Sequence, residues 1–318
     1  MQRRHVFTVG AGLTLGGAAA AAVPAVAGAE PALKRRPADT AEAAERIAEA
    51  FATESAAAGG EWQARITLLD DSGPPTVAVD RDSRAVKSAA SVNKLGIALA
   101  VLDKIDRGEL ALDDRLTLEP DIILGGSGFY FHQTVYGDEL TVANILVAML
   151  MPSDNTSVRL CGLLSDAYEI NGVLEAKGFT DTRVIPNEEN PNRMWLGDTT
   201  AYETNDLLHR LAAGELLSEE STGFFLGVLR GLSGYHDGFR RSMSSAERSR
   251  VAVKYGAYAA NRNESGVVYD SAGEPALVYS LMAQTEGHDD NYGATHPVVE
   301  AHARMGRAVF DIVDSLPR

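Results

Sequence analysis

Residues 251–283 read VAVKYGAYAANRNESGVVYDSAGEPALVYSLMA, and this stretch decides the fold. Over 251–259, 266–269 and 276–283 the pattern has a period of two, which sends successive side chains to opposite faces of a strand. It therefore predicts three successive strands. Beyond them, Pro297 suits a first helical turn. Val298, Met305, Val309, Ile312 and Val313 then mark the apolar side of a closing helix.

Working back toward the N-terminus, Thr40 precedes an Ala-, Glu- and Arg-rich segment with Ile47, Ala50 and Phe51 at helical spacing. Residues 62–69 and 76–79 read as strands around the turn Asp71-Ser72-Gly73-Pro74-Pro75, which predicts a hairpin. Between 91 and 231 the pattern is mostly helical. Leu95, Leu99, Leu102 and Ile105 line one helix, and 141–151, 155–166 and 167–177 give three more. Thr200-Ala201-Tyr202-Glu203 is a capping box, and Ser218 caps a run through Phe224, Phe225 and Leu229. This order predicts an α/β (α+β) fold of two subdomains. A five-stranded antiparallel sheet flanked by terminal helices (41–90 and 232–318) would carry an inserted all-helical subdomain (91–231). A site belongs in the cleft between them.

The 318 residues are 45% hydrophobic and 23% charged, which fits a globular chain. A single cysteine, Cys161, excludes an intramolecular disulfide and a cysteine-based zinc knuckle; on its apolar helix it reads as a small core residue. A net charge of −15 argues against nucleic acid or anionic lipid as a partner. Residues 1–29 carry Arg3-Arg4, then Phe7, an Ala/Gly-rich apolar run and Ala27-Gly28-Ala29. They read as a twin-arginine-type signal peptide with a small-x-small cleavage site, departing from the usual pattern at Gln2. Residues 30–40 read as a linker. The expectation is a secreted monomer, not stably inserted in a membrane after processing.

Three triplets carry chemistry. Ser91-Val92-Asn93-Lys94 puts a hydroxyl and an amine three residues apart, on one helical face. A deprotonated Lys94 can take the Ser91 proton and make a nucleophile, and backbone N–H groups at a helix start favour the developing anion. A solvated helix pair is the alternative. Ser153-Asp154-Asn155 follows an apolar helix. Ser153 could relay a proton to a leaving nitrogen, and the Asn155 amide could hold a substrate carbonyl and the Lys94 amine. An ordinary helix cap would use the same residue types. In Lys254-Tyr255-Gly256, Lys254 would face the cleft as an anion partner, and Gly256 would let substrate approach closely. The Ala257 N–H could then be an oxyanion donor. A lysine on an exposed strand is the bland reading. No Gly-x-Ser-x-Gly elbow and no His-Glu-x-x-His spacing occurs. His236-Asp237 and His288-Asp289-Asp290 read as surface turns, 125–128 as a flexible loop, and Phe129-Tyr130-Phe131 as cleft wall or core. No metal or cofactor is expected.

The three triplets, in this order and at these gaps, resemble the penicillin-recognising serine hydrolases, specifically the class A β-lactamase family. The resemblance covers roughly 40–318. It extends to Thr182-Arg183-Val184-Ile185-Pro186-Asn187-Glu188-Glu189-Asn190-Pro191-Asn192 and Asp198-Thr199-Thr200. In that family's Ω-loop a Glu, with an Asn four residues on, holds the hydrolytic water, which implies roles for Glu188 and Asn192; Glu189 competes if the register slips. Three features depart from the family. Tyr255 replaces a small hydroxyl residue that contacts the substrate carboxylate. Pro186 stands where an Arg often pairs with the Asp198 equivalent. The loop between Asn192 and Asp198 is shortened. Arg240, Arg241 and Arg262 are candidate replacements for the carboxylate contact.

The resemblance implies a hydrolase cycling through acyl-Ser91. Lys94 would activate, Ser153 shuttle the proton, Glu188 drive deacylation and Lys254 polarise the site. Asn155, Asn192, Lys254, Gly256 and Ala257 would bind a small-molecule substrate, a β-lactam or a similar amide or ester. The alternatives are a D-Ala-D-Ala carboxypeptidase or esterase on the same scaffold, and a non-catalytic relative that binds cell-wall fragments or a drug.

Overall fold

The computed structural model describes residues 36–69 and 73–317; the stretch expected to be a signal peptide (1–29), and the expected linker up to residue 35, lie outside them. Helix α1 (Thr40–Ala58) starts one residue earlier than its sequence suggests, because the Asp39 side chain accepts from the Glu42 N–H and serves as the cap. Strands β1 (Glu61–Leu68), β2 (Thr76–Arg81) and β3 (Lys87–Ser88) lead into a 3₁₀ turn, Ala90–Asn93. Then come α2 (Lys94–Asp106), β4 (Arg115–Thr117), β5 (Glu139–Thr141), α3 (Val142–Leu150), α4 (Asn155–Leu164) and α5 (Ala167–Ala176). Next follow β6 (Arg183–Pro186), β7 (Met194–Thr199), α6 (Ala201–Ala212), α7 (Glu219–Leu229) and α8 (Ser245–Arg248). The chain closes with β8 (Val251–Tyr258), β9 (Asn261–Tyr269), β10 (Pro275–Gln284) and α9 (Pro297–Ser315).

The main sheet has five strands in the order β2-β1-β10-β9-β8, all antiparallel, as the sequence predicts. Both faces are covered. Ile47 and Phe51 of α1 and Val309 and Phe310 of α9 pack with Val251 and Val268 on one face. Leu95, Leu99, Ile145 and Leu146 pack with Ala252 and Val267 on the other. Adjacent residues thus enter opposite cores, the result of a period-two strand buried on both sides. Full burial of each such Val, Leu, Ile or Phe stabilises by about 1.5–3 kcal/mol.

Two differences from the sequence reading matter. First, β9 begins at Asn261, five residues before the predicted strand, because Arg262, Asn263, Glu264 and Ser265 are buried polar residues that mask the alternation. Each is satisfied inside: Asn263 Nδ2 donates to Ser88 O at 2.9 Å, and the Ser265 and Ser280 hydroxyls meet at 2.8 Å. Second, the inserted block is not helical throughout. It contains the β4–β5 pair, and its β6 and β7 form a three-stranded sheet with β3, in the order β3-β7-β6.

Candidate active site

The Ser91 turn is held from three sides. Asn93 Nδ2 lies within hydrogen-bond distance of the carbonyls of Arg183, Leu196 and Asp198, at 2.9, 2.6 and 3.0 Å. Asn263 grips the carbonyls of Ser88 and Ala89 just before the turn. Gly256 lies against it: a Cβ there would come 2.8 Å from Ser91 N and 2.7 Å from Val92 N. Only glycine lets the edge strand β8 run this close. Ala90, immediately before Ser91, has φ 46°, and Ser153 has φ 60°. Left-handed backbone at a non-glycine residue is strained and tends to be kept at working sites.

Lys94 opens α2 and is completely buried. Its Nζ donates to Ser153 O at 2.5 Å, Ser153 Oγ at 3.0 Å and Asn155 Oδ1 at 2.8 Å. Burial pushes its pKa down to about 7, partly opposed by the neighbouring Asp154 carboxylate. Lys254 donates from the other side, to Ser153 Oγ and Tyr255 O, both at 2.9 Å. Burial, and then the charge of Lys94, lower its pKa well below the ordinary lysine value. The Ser153 hydroxyl therefore accepts from two amines and keeps its own proton to give away. The Ser91 hydroxyl makes no hydrogen bond among the described residues. The i, i+3 spacing puts Ser91 and Lys94 on one turn, yet the amine is held by Ser153 and Asn155.

Ser153-Asp154-Asn155 is both the chemical triplet and the helix cap that the sequence left open. Asp154 Oδ1 caps α4 through Ser157 N, and its Oδ2 accepts from Phe129 N and Tyr130 N at 2.6 and 2.9 Å. Asn155 Nδ2 donates to Gly125 O, and Asn155 N to Ser127 O. Residues 125–128 are thus pinned, not flexible. Gly128, at φ 93°, is required there because a Cβ would meet Asp154 Oδ2 at 2.2 Å. A cleft of about 310 Å³ opens beside the triplet, lined by Ser127, Ser153, Tyr235, Asp237, Lys254 and Tyr255. Ala257 follows Gly256 on the free edge of β8.

Glu188 and Asn192 are not brought into this cluster. The shortened loop lets β6 and β7 pair as a hairpin, and both residues lie in the connection between them. There Asn187 Oδ1 accepts from Glu189 N and Asn190 N. Asn192 presses its carbonyl on Gly162 of α4, where a Cβ would come 2.0 Å from it. Glu188 and Glu189 are both exposed, and neither side chain makes a hydrogen bond or ion pair among the described residues. Asp198 pairs instead with Arg183, at 3.5 Å, supplying the cation that Pro186 cannot.

The arginines named as carboxylate contacts are committed elsewhere. Arg240 donates to the carbonyls of Gly231, Tyr235 and Val251. Arg262 donates to those of Ala259, Asn261, His288, Asp289 and Asn291. Arg241 donates to Ala294 O. The residue that the sequence missed is Tyr235. Its ring stacks on that of Tyr255, centroids 3.9 Å apart and 5° from parallel. No local pattern in the sequence announces this pairing. Cys161 is a buried core residue, its thiol pushed up to about 12 by desolvation. Among the described residues no group of three metal-ligating side chains converges, and no helix is long and apolar enough to cross a membrane.

A sequence model of the Beta-lactamase enzyme family matches residues 42–313. Beta-lactamase VEB-1 of Pseudomonas aeruginosa is 28% identical over 148 residues, 44% of this chain and 50% of that protein, so the match spans half the length of this curated relative. Among solved structures, a β-lactamase from Sphaerobacter thermophilus superposes with a TM-score of 0.69 at 23% identity, covering 86% of this chain and 98% of that one. PBP-A superposes with a TM-score of 0.65 at 20% identity, covering 87% and 97%. At these identities the superpositions establish the shared fold.

Proposed function

The chain belongs to the β-lactamase enzyme family, and from that premise we propose that it is an exported, monomeric serine hydrolase. Its Ser91 is acylated by a β-lactam or a similar small amide or ester. The observation that carries this reading is the Ser153 hydroxyl shared by Lys94 and Lys254 beside the Ser91 turn. Lys94, neutral in good part near pH 7, takes the Ser91 proton as Oγ bonds to the substrate carbonyl carbon. Backbone N–H groups of the Ser91 turn and the edge of β8 face the developing oxyanion. The tetrahedral species collapses as the C–N or C–O bond breaks. The proton passes from Lys94 through Ser153 Oγ to the leaving group, leaving acyl-Ser91.

Deacylation needs a water and a base. The family resemblance gives that work to Glu188 and Asn192. The exposed, unpartnered setting of Glu188 favours a second reading, in which acyl-Ser91 is long-lived and the protein behaves as a peptidase or a penicillin binder. One solved relative is a PBP-A mutant described as an acyl-enzyme complex with penicillin G. A chromogenic cephalosporin and its carboxylate methyl ester, run side by side with intact-mass readout, test both readings. A one-to-one adduct, absent from Ser91→Ala, with a burst and slow turnover is expected. No adduct and no turnover with either compound would remove the proposal, and fast turnover without accumulation would restore the Glu188 cycle. Export is tested by N-terminal sequencing of protein secreted from a twin-arginine-competent host, with a mature start at Glu30 expected.

A further inference from the structure

Resting on the acyl-Ser91 reading, we infer that the cleft beside Ser153 accepts an uncharged leaving group and selects against one bearing a carboxylate, with Tyr255 as the specificity-determining residue. The wall of this cleft is the Tyr235–Tyr255 stack, whose parallel rings offer a flat, aromatic surface. A carboxylate entering here is held best by a cationic donor, and the cations near this cleft are already engaged. Arg240 and Arg262 are fully buried and spend their guanidinium donors on backbone carbonyls. Lys254 is buried, and its Nζ is engaged by Ser153 Oγ and Tyr255 O. The remaining ionisable side chains of the lining are Asp237, whose negative charge repels a carboxylate, and His236, which turns Nδ1 to Gly234 O. The whole chain adds a net charge of −15. Desolvation of Lys254 works in the same direction, since it reduces the positive charge on that amine.

The test is a matched pair of thioesters with one N-acyl-glycyl group, one releasing thioglycolate and the other its methyl ester. Free thiol reports turnover, and intact mass reports acylation of Ser91. Both release the same acyl group, and each rate is divided by that thioester's own hydroxide-catalysed rate, because the ester's thiol is the better leaving group, so that only recognition of the leaving-group end is compared. The methyl ester is expected to win by about tenfold in kcat/KM, chiefly through KM, with the gap narrowing as salt screens repulsion. Tyr255→Thr is expected to shrink the ratio to about threefold or less by opening the wall. Equal or faster turnover of the free acid by the unaltered enzyme overturns the inference while leaving the acyl-serine reading standing. No thiol and no Ser91 adduct from either thioester overturns both.

Discussion

The Ser153 cluster and the tip of the β6–β7 hairpin were equally clear as sequence patterns, and they fare differently in three dimensions. Ser91, Lys94 and Asn155 sit in the first turn of a helical segment and Lys254 on a strand, while Ser153 immediately precedes Asp154, the cap of α4. Lys94 and Lys254 are buried and converge on the Ser153 hydroxyl. Glu188 and Asn192 keep the spacing of a water-holding pair but lie in the loop of a hairpin, with Glu188 in solvent. Spacing inside a regular element fixes geometry, because rise and turn per residue are fixed. Spacing inside a loop does not, because a few residues more or fewer change how its flanks pair.

Four substitutions break or sharpen this contrast. Lys94→Met removes the base and the donor of three hydrogen bonds, so the acylation rate should fall by about 10³. In the unaltered protein that rate should rise with pH through about 7 and then level, since loss of the Lys94 proton creates the base. A rate that falls over this range in stopped-flow acylation would count against Lys94. Gly256→Ala should lower acylation by about 10²-fold, because its methyl displaces the Ser91 turn; unchanged kinetics would show that the turn can yield. Asn93→Ala, which unties β6 and β7 from the turn, should cost about 1–3 kcal/mol in urea unfolding. Glu188→Gln should change deacylation less than about twofold, since it removes a charge from an exposed side chain that makes no contact with the Ser153 cluster. Accumulation of acyl-Ser91 in that variant alone would mean that the hairpin closes over the site during turnover.

Most of the fold was legible because it rests on periodicity. The alternation at 251–259 and 276–283 located β8 and β10, and the stripe around Val309 located α9. The start of β9 was hidden, because its buried Arg262, Asn263 and Glu264 look like loop residues until their partners are seen. Those partners are the carbonyls of the 288–291 loop, Ser88 O, Phe239 N and His302. Similarly, charge alone makes Arg240, Arg241 and Arg262 look like carboxylate clamps, while the structure uses them as braces for backbone. The Tyr235–Tyr255 stack joins residues from a loop and a strand, and no local pattern encodes it.

The pairing of β1 with β10 has a temporal corollary. Lys254 and Gly256 reach the nucleophile through a sheet that closes only when the chain's opening strand has found its last one. A ribosome-bound fragment ending before residue 275 carries Ser91 but lacks the completed scaffold. The proposed chemistry at Ser91 would thereby wait for the last strand of the sheet to arrive.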